Sequence, residues 1–571
     1  MDCGKARRIE MDKTDDARGI ARLAAAVLLT ILPALAAQSF RLSLPATHGP
    51  LLDKAAAIFT RRVNQRCGAA STGRTVTIEL RISSEIGPEG FSIANGPRRA
   101  IRVTGGDEHG VLYGLGKLFR TSRCEGGVFT AGEWRGTSKP AGSLRGVYLA
   151  SHFGNFYEAA PLEELEGYVE DLALWGVNAL GFSFPAWQYA SYDDPAARSN
   201  LLRIRAMMRA AKNAGMQVGA LVAPNQVFNT APAELRAKPY PDDWGRRGFL
   251  GVNVCPSLPA GHEYLLHVWA GLLNQYRDIG LDFVTYWPYD EGGCGCPQCW
   301  PWGARGYVNI CRDFSQMARA QFPRMKVVLS TWMFDSPPAG EWEGLTKVLA
   351  EDTPWANYIM ADAHEDYPRY PLERGVPGGL PLLNFPEISM WGMAPWGGYG
   401  ANPLPAHLQQ LWSQVAGKVT GGLPYSEGIY EDLSKVIYCQ FYWDPKRTAL
   451  ETLREYAESE FSPAVATSVL RAVELLEANH RRKNGRFEKP PQQTREALEL
   501  MRQSDRNLSP QARHSWRWRI LYLRALIDDE LSNTGGKPQG PVLKDAFAEL
   551  VRIYHAEHVH TNRVAPPPLL P

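Results

Sequence analysis

The sequence predicts an α/β chain built on a (β/α)8 TIM barrel, preceded by a small α+β domain and followed by an α-helical domain. Three observations carry that expectation. Between residues 144 and 445 an apolar strand, a loop and an amphipathic helix recur eight times, over about 300 residues, against the ~250 plus insertions usual for such barrels. Ahead of them lies a short stretch of mixed strands and helices, and behind them the apolar residues recur only at helical spacing. The rival, an open doubly wound sheet, normally carries a glycine-rich phosphate turn after its first strand, and none is present.

The chain opens with a segment that reads as an export signal, residues 1–38. Arg18 and Arg22 supply positive charge, Leu23 to Leu35 the apolar core, and Ala34-Leu35-Ala36 a small-residue cleavage site. Met11 is a candidate start. The apolar run is short for a membrane span, which takes about 20 residues, so a secreted or periplasmic protein with no stable span after cleavage is expected. An uncleaved anchor is the alternative.

The small domain is expected over residues 39–132. Its strands are Phe40–Leu44, Val76–Ile82 and Ala100–Val103; its helices are Leu51–Arg66 and Gly110–Phe119. Cys67 and Cys124 both fall here and are placed to pair. The barrel strands are expected at Gly146–Ala150, Ala179–Ser183, Gln217–Val222, Phe283–Trp287, Lys326–Thr331, Tyr358–Asp362, Leu380–Phe385 and Thr420–Pro424. Helices between them include Leu162–Trp175, Asn200–Ala214, Tyr264–Ile279 and Tyr307–Gln321. From 446 to 560 five helices follow: Thr448–Ser459, Ala464–Arg481, Gln492–Arg502, Ala512–Leu531 and Pro541–His555. A Pro-rich disordered tail, 561–571, ends the chain.

Composition excludes some partners. Of 571 residues 44% are hydrophobic and 21% charged, and the net charge is +2. That is an ordinary folded chain with no concentrated basic face, the longest cationic run being Arg481–Lys483, so no nucleic acid is expected. Seventeen Trp and 23 Tyr are many. Core packing accounts for at least half; several others stand in loop-like contexts, where flat faces suit sugar rings.

In a barrel of this kind the chemistry gathers where the strands end. After the first strand comes Ser151-His152-Phe153-Gly154-Asn155, after the third Pro224-Asn225-Gln226, and after the fourth Tyr286-Trp287-Pro288-Tyr289-Asp290-Glu291. The fifth delivers Trp332 and Asp335, the sixth Asp362-Ala363-His364-Glu365, the seventh Glu387 and Trp391, and the eighth Tyr425-Ser426-Glu427-Gly428. Carboxylates and aromatics thus converge on one face. Glycoside cleavage needs an acid for the leaving oxygen and a second group at the oxocarbenium-like centre, and crowding raises one carboxyl's pKa. Glu291 is the expected general acid with Asp290 its partner. Glu387, Glu427 and Asp362 are candidate second carboxylates. His152, Asn225, Trp332 and Trp391 are expected to line the sugar pocket. No cofactor is expected for catalysis.

The small domain's Ile101-Arg-Val-Thr-Gly-Gly-Asp107 and Gly110-Val-Leu-Tyr-Gly-Leu-Gly116 resemble the N-terminal domain shared by β-N-acetylhexosaminidases and α-glucuronidases. Arg145-Gly146 resembles the Arg-Gly start of the hexosaminidase barrel, and Leu172–Phe182, with Gly176-Val-Asn178, the start of the second strand in both families. Asp290-Glu291 is similar to the hexosaminidase pair after strand four. That resemblance implies an Asp290 that orients the substrate's acetamido group as nucleophile, a Glu291 that acts as general acid, an Arg145 that binds sugar hydroxyls, and an exo-acting enzyme on an N-acetylhexosamine-containing glycan. Val222–Phe228 lacks the acidic Pro-Gly-His motif of hexosaminidases, and Tyr425 to Asp432 is not a hexosaminidase feature either. The α-glucuronidase likeness implies instead inversion, with Glu291, Asp362 and Glu387 as acid and bases and with Arg145 and Lys435 as the cations available to a glucuronate. A non-catalytic carbohydrate-binding protein, and a polysaccharide lyase using Tyr289 with His152, are the alternatives from other classes.

Cys294, Cys296 and Cys299 follow the expected acid at once, and Cys255 closes the preceding segment. Four thiolates would make a structural Zn²⁺ site; two disulfides are the equal alternative in an exported protein. A Cys-x-Cys-x-x-Cys run after the same strand is similar to that of uncharacterised relatives in this barrel group. In both forms the cluster shapes the loop beside Glu291 and does not react.

Overall fold

The computed structural model describes residues 40–558, apart from 69–74, 126–127, 153, 242–251, 291, 337, 352–354, 364, 389–399, 481, 484–485 and 488–491. The expected signal and tail lie outside the described residues. Among the described residues no helix is long and apolar enough to cross a membrane.

The small domain is a five-stranded sheet in the order Phe40–Ser43, Val76–Ile82, Ile101–Gly105, Phe91–Asn95, Gly136–Ser138. The first three pair in parallel and the last two join antiparallel. Two of these strands were not expected. Phe91–Asn95 follows a turn-rich stretch, and the three residues Gly136–Ser138, beyond the boundary placed at 132, have too few side chains to show alternation. Helices Pro50–Cys67 and Glu108–Thr121 cover the sheet. Asp107 starts the second helix: one carboxylate oxygen accepts the Gly110 N–H at 2.8 Å and the other the Glu89 N–H at 3.0 Å, which caps the helix and ties it to the neighbouring loop. Cys67 and Cys124 form the disulfide.

The barrel strands are Leu144–Leu149, Ala179–Ser183, Gln217–Val222, Phe283–Tyr286, Lys326–Ser330, Tyr358–Ala363, Leu382–Pro386 and Gly421–Gly422. All eight pair in parallel in that order, and the eighth closes onto the first. Each expected strand is present within a few residues of its expected bounds. The strands are buried on both faces, as parallel strands under a ring of helices must be. Tyr425–Ser426 adds two further residues beside the first strand. The last barrel helix, Asp432–Trp443, is apolar on nearly every side. An eighth helix was expected here but its bounds were not named, because a helix buried all round has no polar stripe to betray its period.

The C-terminal part is helical: Ala449–Glu460, Ala466–Ala478, Thr494–Arg506, Trp516–Asn533 and Pro541–Ile553, with a short hairpin of Arg482–Lys483 and Arg486–Phe487 where only helix was expected.

The three parts lock together at the underside of the barrel. A Cβ on Gly116 would stand 2.1 Å from the Leu174 carbonyl, so only glycine lets this helix seat on the barrel. One turn away, Glu455 of the C-terminal part receives Arg120 at 2.9 Å, Lys117 at 3.0 Å, and Arg447. Burial alone would raise its pKa, but the three cations outweigh burial and hold the carboxyl far below its usual range. Such a depressed group stabilises the fold above its ordinary pKa, and that stability is lost as pH falls through the folded value. Glu455→Gln is therefore expected to lower unfolding free energy by about 3 kcal/mol at neutral pH. In urea titrations the difference from wild type should shrink in acid.

Candidate active site at the barrel mouth

Strand alternation builds the mouth. The barrel interior is filled by Leu144, Tyr148, Phe283, Trp287, Val328, Met360, Leu383, Phe385 and Leu423, among others. Side chains two residues apart share a face. The residue two beyond each interior anchor therefore rises toward the C-terminal rim: Asp362 above Met360, Glu387 above Phe385, and Glu427 above Leu423 and Tyr425. By the same count Trp332 stands two turns of the pleat above Val328, and His152 above Tyr148 and Ala150.

Below the acids lies an aromatic floor. Trp332 stacks on Trp287 at 5.0 Å and 27°, and Trp287 meets Phe385 at 4.9 Å. Phe385 meets Tyr148 at 5.9 Å and Tyr425 at 5.9 Å, and Tyr148 meets Tyr425 at 5.7 Å. His152 Nδ1 is 3.4 Å from the Tyr148 hydroxyl. Tyr148, Phe385 and Tyr425 were not singled out as site residues, although the period-two count from the strand centres leads straight to them.

Burial pushes the Asp362 carboxyl up to about 7, with the negative charge of Asp335 a smaller cause in the same direction. The carboxylate of Glu427 accepts hydrogen bonds from the hydroxyls of Tyr425 at 2.6 Å and Tyr430 at 3.4 Å. Its loop is braced from behind: Glu431, itself buried, accepts the backbone N–H groups of Glu427 and Gly428. Lys435 then donates to the Gly428 carbonyl at 2.6 Å and the Tyr168 hydroxyl at 2.7 Å. Burial raises Glu431 to about 8 and lowers Lys435 to about 8. Glu431 escaped the sequence reading because a carboxylate serving only backbone groups has no motif partner.

Asp290 ends the fourth strand's extension with φ +72°, and Met333, next to Trp332, has φ +66°. Left-handed backbone at a non-glycine residue is costly and gathers where function over-determines it. Glu291 and Trp391 lie outside the described residues. The backbone just after position 291 is nonetheless held. Asn225 donates to the Gly293 carbonyl at 2.8 Å and accepts the Gly293 N–H at 2.9 Å, and Tyr240 donates to the Gly292 carbonyl at 2.6 Å.

Those bonds correct one expectation. Asn225 has no exposed surface, and its other amide hydrogen goes to the Val254 carbonyl at 3.1 Å. It positions the loop after the fourth strand and does not meet a sugar. Arg145 is the larger correction. It sits at the start of its strand, at the barrel's underside, with no exposed surface. Its guanidinium forms a two-toothed pair with Glu89 at 3.0 Å, donates to the carbonyls of Gly142 and Gly176, and lies 5.1 Å over the Trp443 ring. Lys435 is buried likewise, so neither cation named for a glucuronate faces the mouth. Tyr289, named as a lyase base, is fully buried and donates to Glu341.

Beside the loop after the fourth strand the sulfurs of Cys255, Cys294, Cys296 and Cys299 lie within 4.8 Å of one another, all buried. No two are bonded, so the disulfide alternative is not what the structure holds. The cluster is one that could hold a metal ion.

No protein-family model and no curated protein sequence matches the chain. Solved structures do. A family GH115 4-O-methyl-α-glucuronidase with specificity for decorated arabinogalactans superposes with a TM-score of 0.60 at 11% identity, covering 92% of this chain and 78% of that one. A family 89 glycoside hydrolase from Clostridium perfringens, in complex with PUGNAc, gives 0.57 at 12% identity, with 88% and 65% covered. A chitobiase of family GH20 from Flavobacterium johnsoniae gives 0.50 at 12% identity, with 90% of each chain covered. In fold, this chain resembles the barrel-and-small-domain architecture of these glycoside hydrolase groups.

Proposed function

We propose that the protein is an exported, exo-acting glycoside hydrolase acting on an N-acetylhexosamine-containing glycan, with its active site at the barrel mouth. The observation that carries this reading is the aromatic floor of Trp332, Trp287, Phe385, Tyr148 and Tyr425 overlooked by Asp362, Glu387 and Glu427. An aromatic cluster under several carboxylates suits a pyranose ring and its hydroxyls. Glu291 protonates the leaving oxygen. Asp290, held in a left-handed turn beside it, orients the substrate's acetamido group, and Asp362, Glu387 and Glu427 take ring hydroxyls or share the proton traffic.

Burial of Arg145 and Lys435 leaves the glucuronate reading without the two cations it named, and burial of Tyr289 does the same for the lyase reading. Convergence of so many carboxylates speaks against a pure binding protein, which needs aromatics but not acids. The Cys67–Cys124 disulfide fits an oxidising compartment, in keeping with export.

The test is a comparison of a β-N-acetylglucosaminide with the glucoside that lacks the acetamido group. Hydrolysis of the first only supports the assignment; equal rates on both overturn the acetamido role. Trp332→Ala is expected to raise KM about tenfold, the loss of roughly 1.4 kcal/mol of stacking, with kcat little changed. A fall in kcat at constant KM in steady-state assays would remove Trp332 from the sugar platform.

A further inference from the structure

We infer that Cys255, Cys294, Cys296 and Cys299 form a tetrathiolate site for a single Zn²⁺ ion that fixes the loop carrying Asp290 and position 291. The inference concerns metal binding and does not depend on which sugar the mouth accepts.

The geometry is that of one tetrahedral ion. Zinc–sulfur bonds of about 2.3 Å place tetrahedral sulfurs roughly 3.8 Å apart. Cys255 Sγ lies 3.7 Å from Cys296 Sγ and 4.0 Å from Cys299 Sγ. All four sulfurs fit within 4.8 Å, too tight for a multi-iron cluster, whose cysteines stand outside a cage of several atoms. Four soft thiolates in a closed, buried set select zinc over harder divalent ions, and leave no open position for catalysis.

The surrounding chain is shaped for this. Ser257 Oγ stands 3.0 Å from Cys255 Sγ and 3.3 Å from Cys296 Sγ, so its hydroxyl can donate to a thiolate, as outer-shell groups of metal sites do. The N–H groups of Cys299 and Trp300 both turn back to the Cys296 carbonyl, at 3.0 and 2.9 Å, folding the Cys-x-x-Cys segment into a tight knuckle. Gly295 has its N–H on the Lys238 carbonyl at 2.9 Å, and a Cβ there would meet the Pro239 carbonyl at 2.0 Å. The two remaining described free thiols take no part: Cys311 is buried in the helix Gly306–Gln321, and Cys439 bonds the Trp175 carbonyl at 3.3 Å.

Zinc would tie the segment after Val252–Asn253 to the loop after the fourth barrel strand, next to the contacts of Asn225 with Val254 and Gly293. On binding, four thiols release their protons to solvent and four sulfur lone pairs bond the ion, with no redox change.

The experiment uses the full chain as purified. Elemental analysis by plasma mass spectrometry is expected to find about one zinc per chain. After denaturation in chelator without reductant, alkylation should label the four cluster cysteines together with Cys311 and Cys439, and spare Cys67 and Cys124. Replacing zinc with Co²⁺ should give the intense visible bands of a tetrahedral thiolate site. Ser257→Ala, which leaves all four ligands, is expected to bind zinc about tenfold more weakly. Cluster cysteines protected from alkylation as disulfides, four labelled cysteines with no metal, or iron in place of zinc would each overturn the assignment.

Discussion

Glu291→Gln is expected to lower kcat by a factor of about 10²–10⁴ on glycosides with poor leaving groups. Gln keeps the size and one hydrogen-bond donor of the acid but cannot give up a proton, so the leaving oxygen must depart as an anion. The loss should shrink as the leaving group improves, since a good leaving group needs no proton, and KM should change little. Steady-state rates on aryl glycosides graded by leaving-group pKa measure this directly. A uniform loss across the series would assign Glu291 to substrate binding instead of proton transfer.

Asp362→Asn is expected to have the second-largest effect and to change the pH dependence as well as the rate. The Asp362 carboxyl titrates near 7 because burial disfavours its charge. A carboxyl tuned to that range exchanges a proton readily at neutral pH. Its limb in the pH–rate profile, near 7, should vanish in the variant, with kcat/KM down by at least about tenfold. Stability carries the opposite sign. Between its ordinary value and about 7 the unfolded chain has lost a proton that the folded chain keeps, so wild type loses stability as pH rises through this window. Asp362→Asn should therefore be more stable than wild type at about pH 8, by on the order of 1 kcal/mol after allowance for partial exposure, and no more stable in acid. Thermal unfolding at the two pH values checks both halves.

The barrel was legible because eight doubly buried strands write long apolar runs that helices interrupt at regular intervals. Strand Gly136–Ser138 was too short to show a period, and the bounds of helix Asp432–Trp443 were hidden because it is buried on every side. At the site, position after a strand singled out Asp362, Glu387 and Glu427, which all continue the interior face of their strands. Arg145 was named from the hexosaminidase resemblance and not by that rule; it begins its strand and so belongs to the underside, where Glu89 holds it. Asn225 follows its strand as a sugar ligand would, yet its amide is spent on the backbone of Gly293 and Val254. Sequence position says which end of the barrel a residue occupies; only the hydrogen bonds say whether it faces the cavity or the loop behind it. Glu431 makes the complementary point, a buried carboxylate whose hydrogen bonds hold the loop of Glu427.

The most direct test of the central claim is release of 4-nitrophenol from a panel of α- and β-glycosides by wild type and Glu291→Gln. The account predicts that wild type hydrolyses a β-N-acetylglucosaminide and that the substitution removes most of that activity. Activity that survives the substitution unchanged, or a panel on which wild type does nothing while a lyase substrate is cleaved, would contradict it.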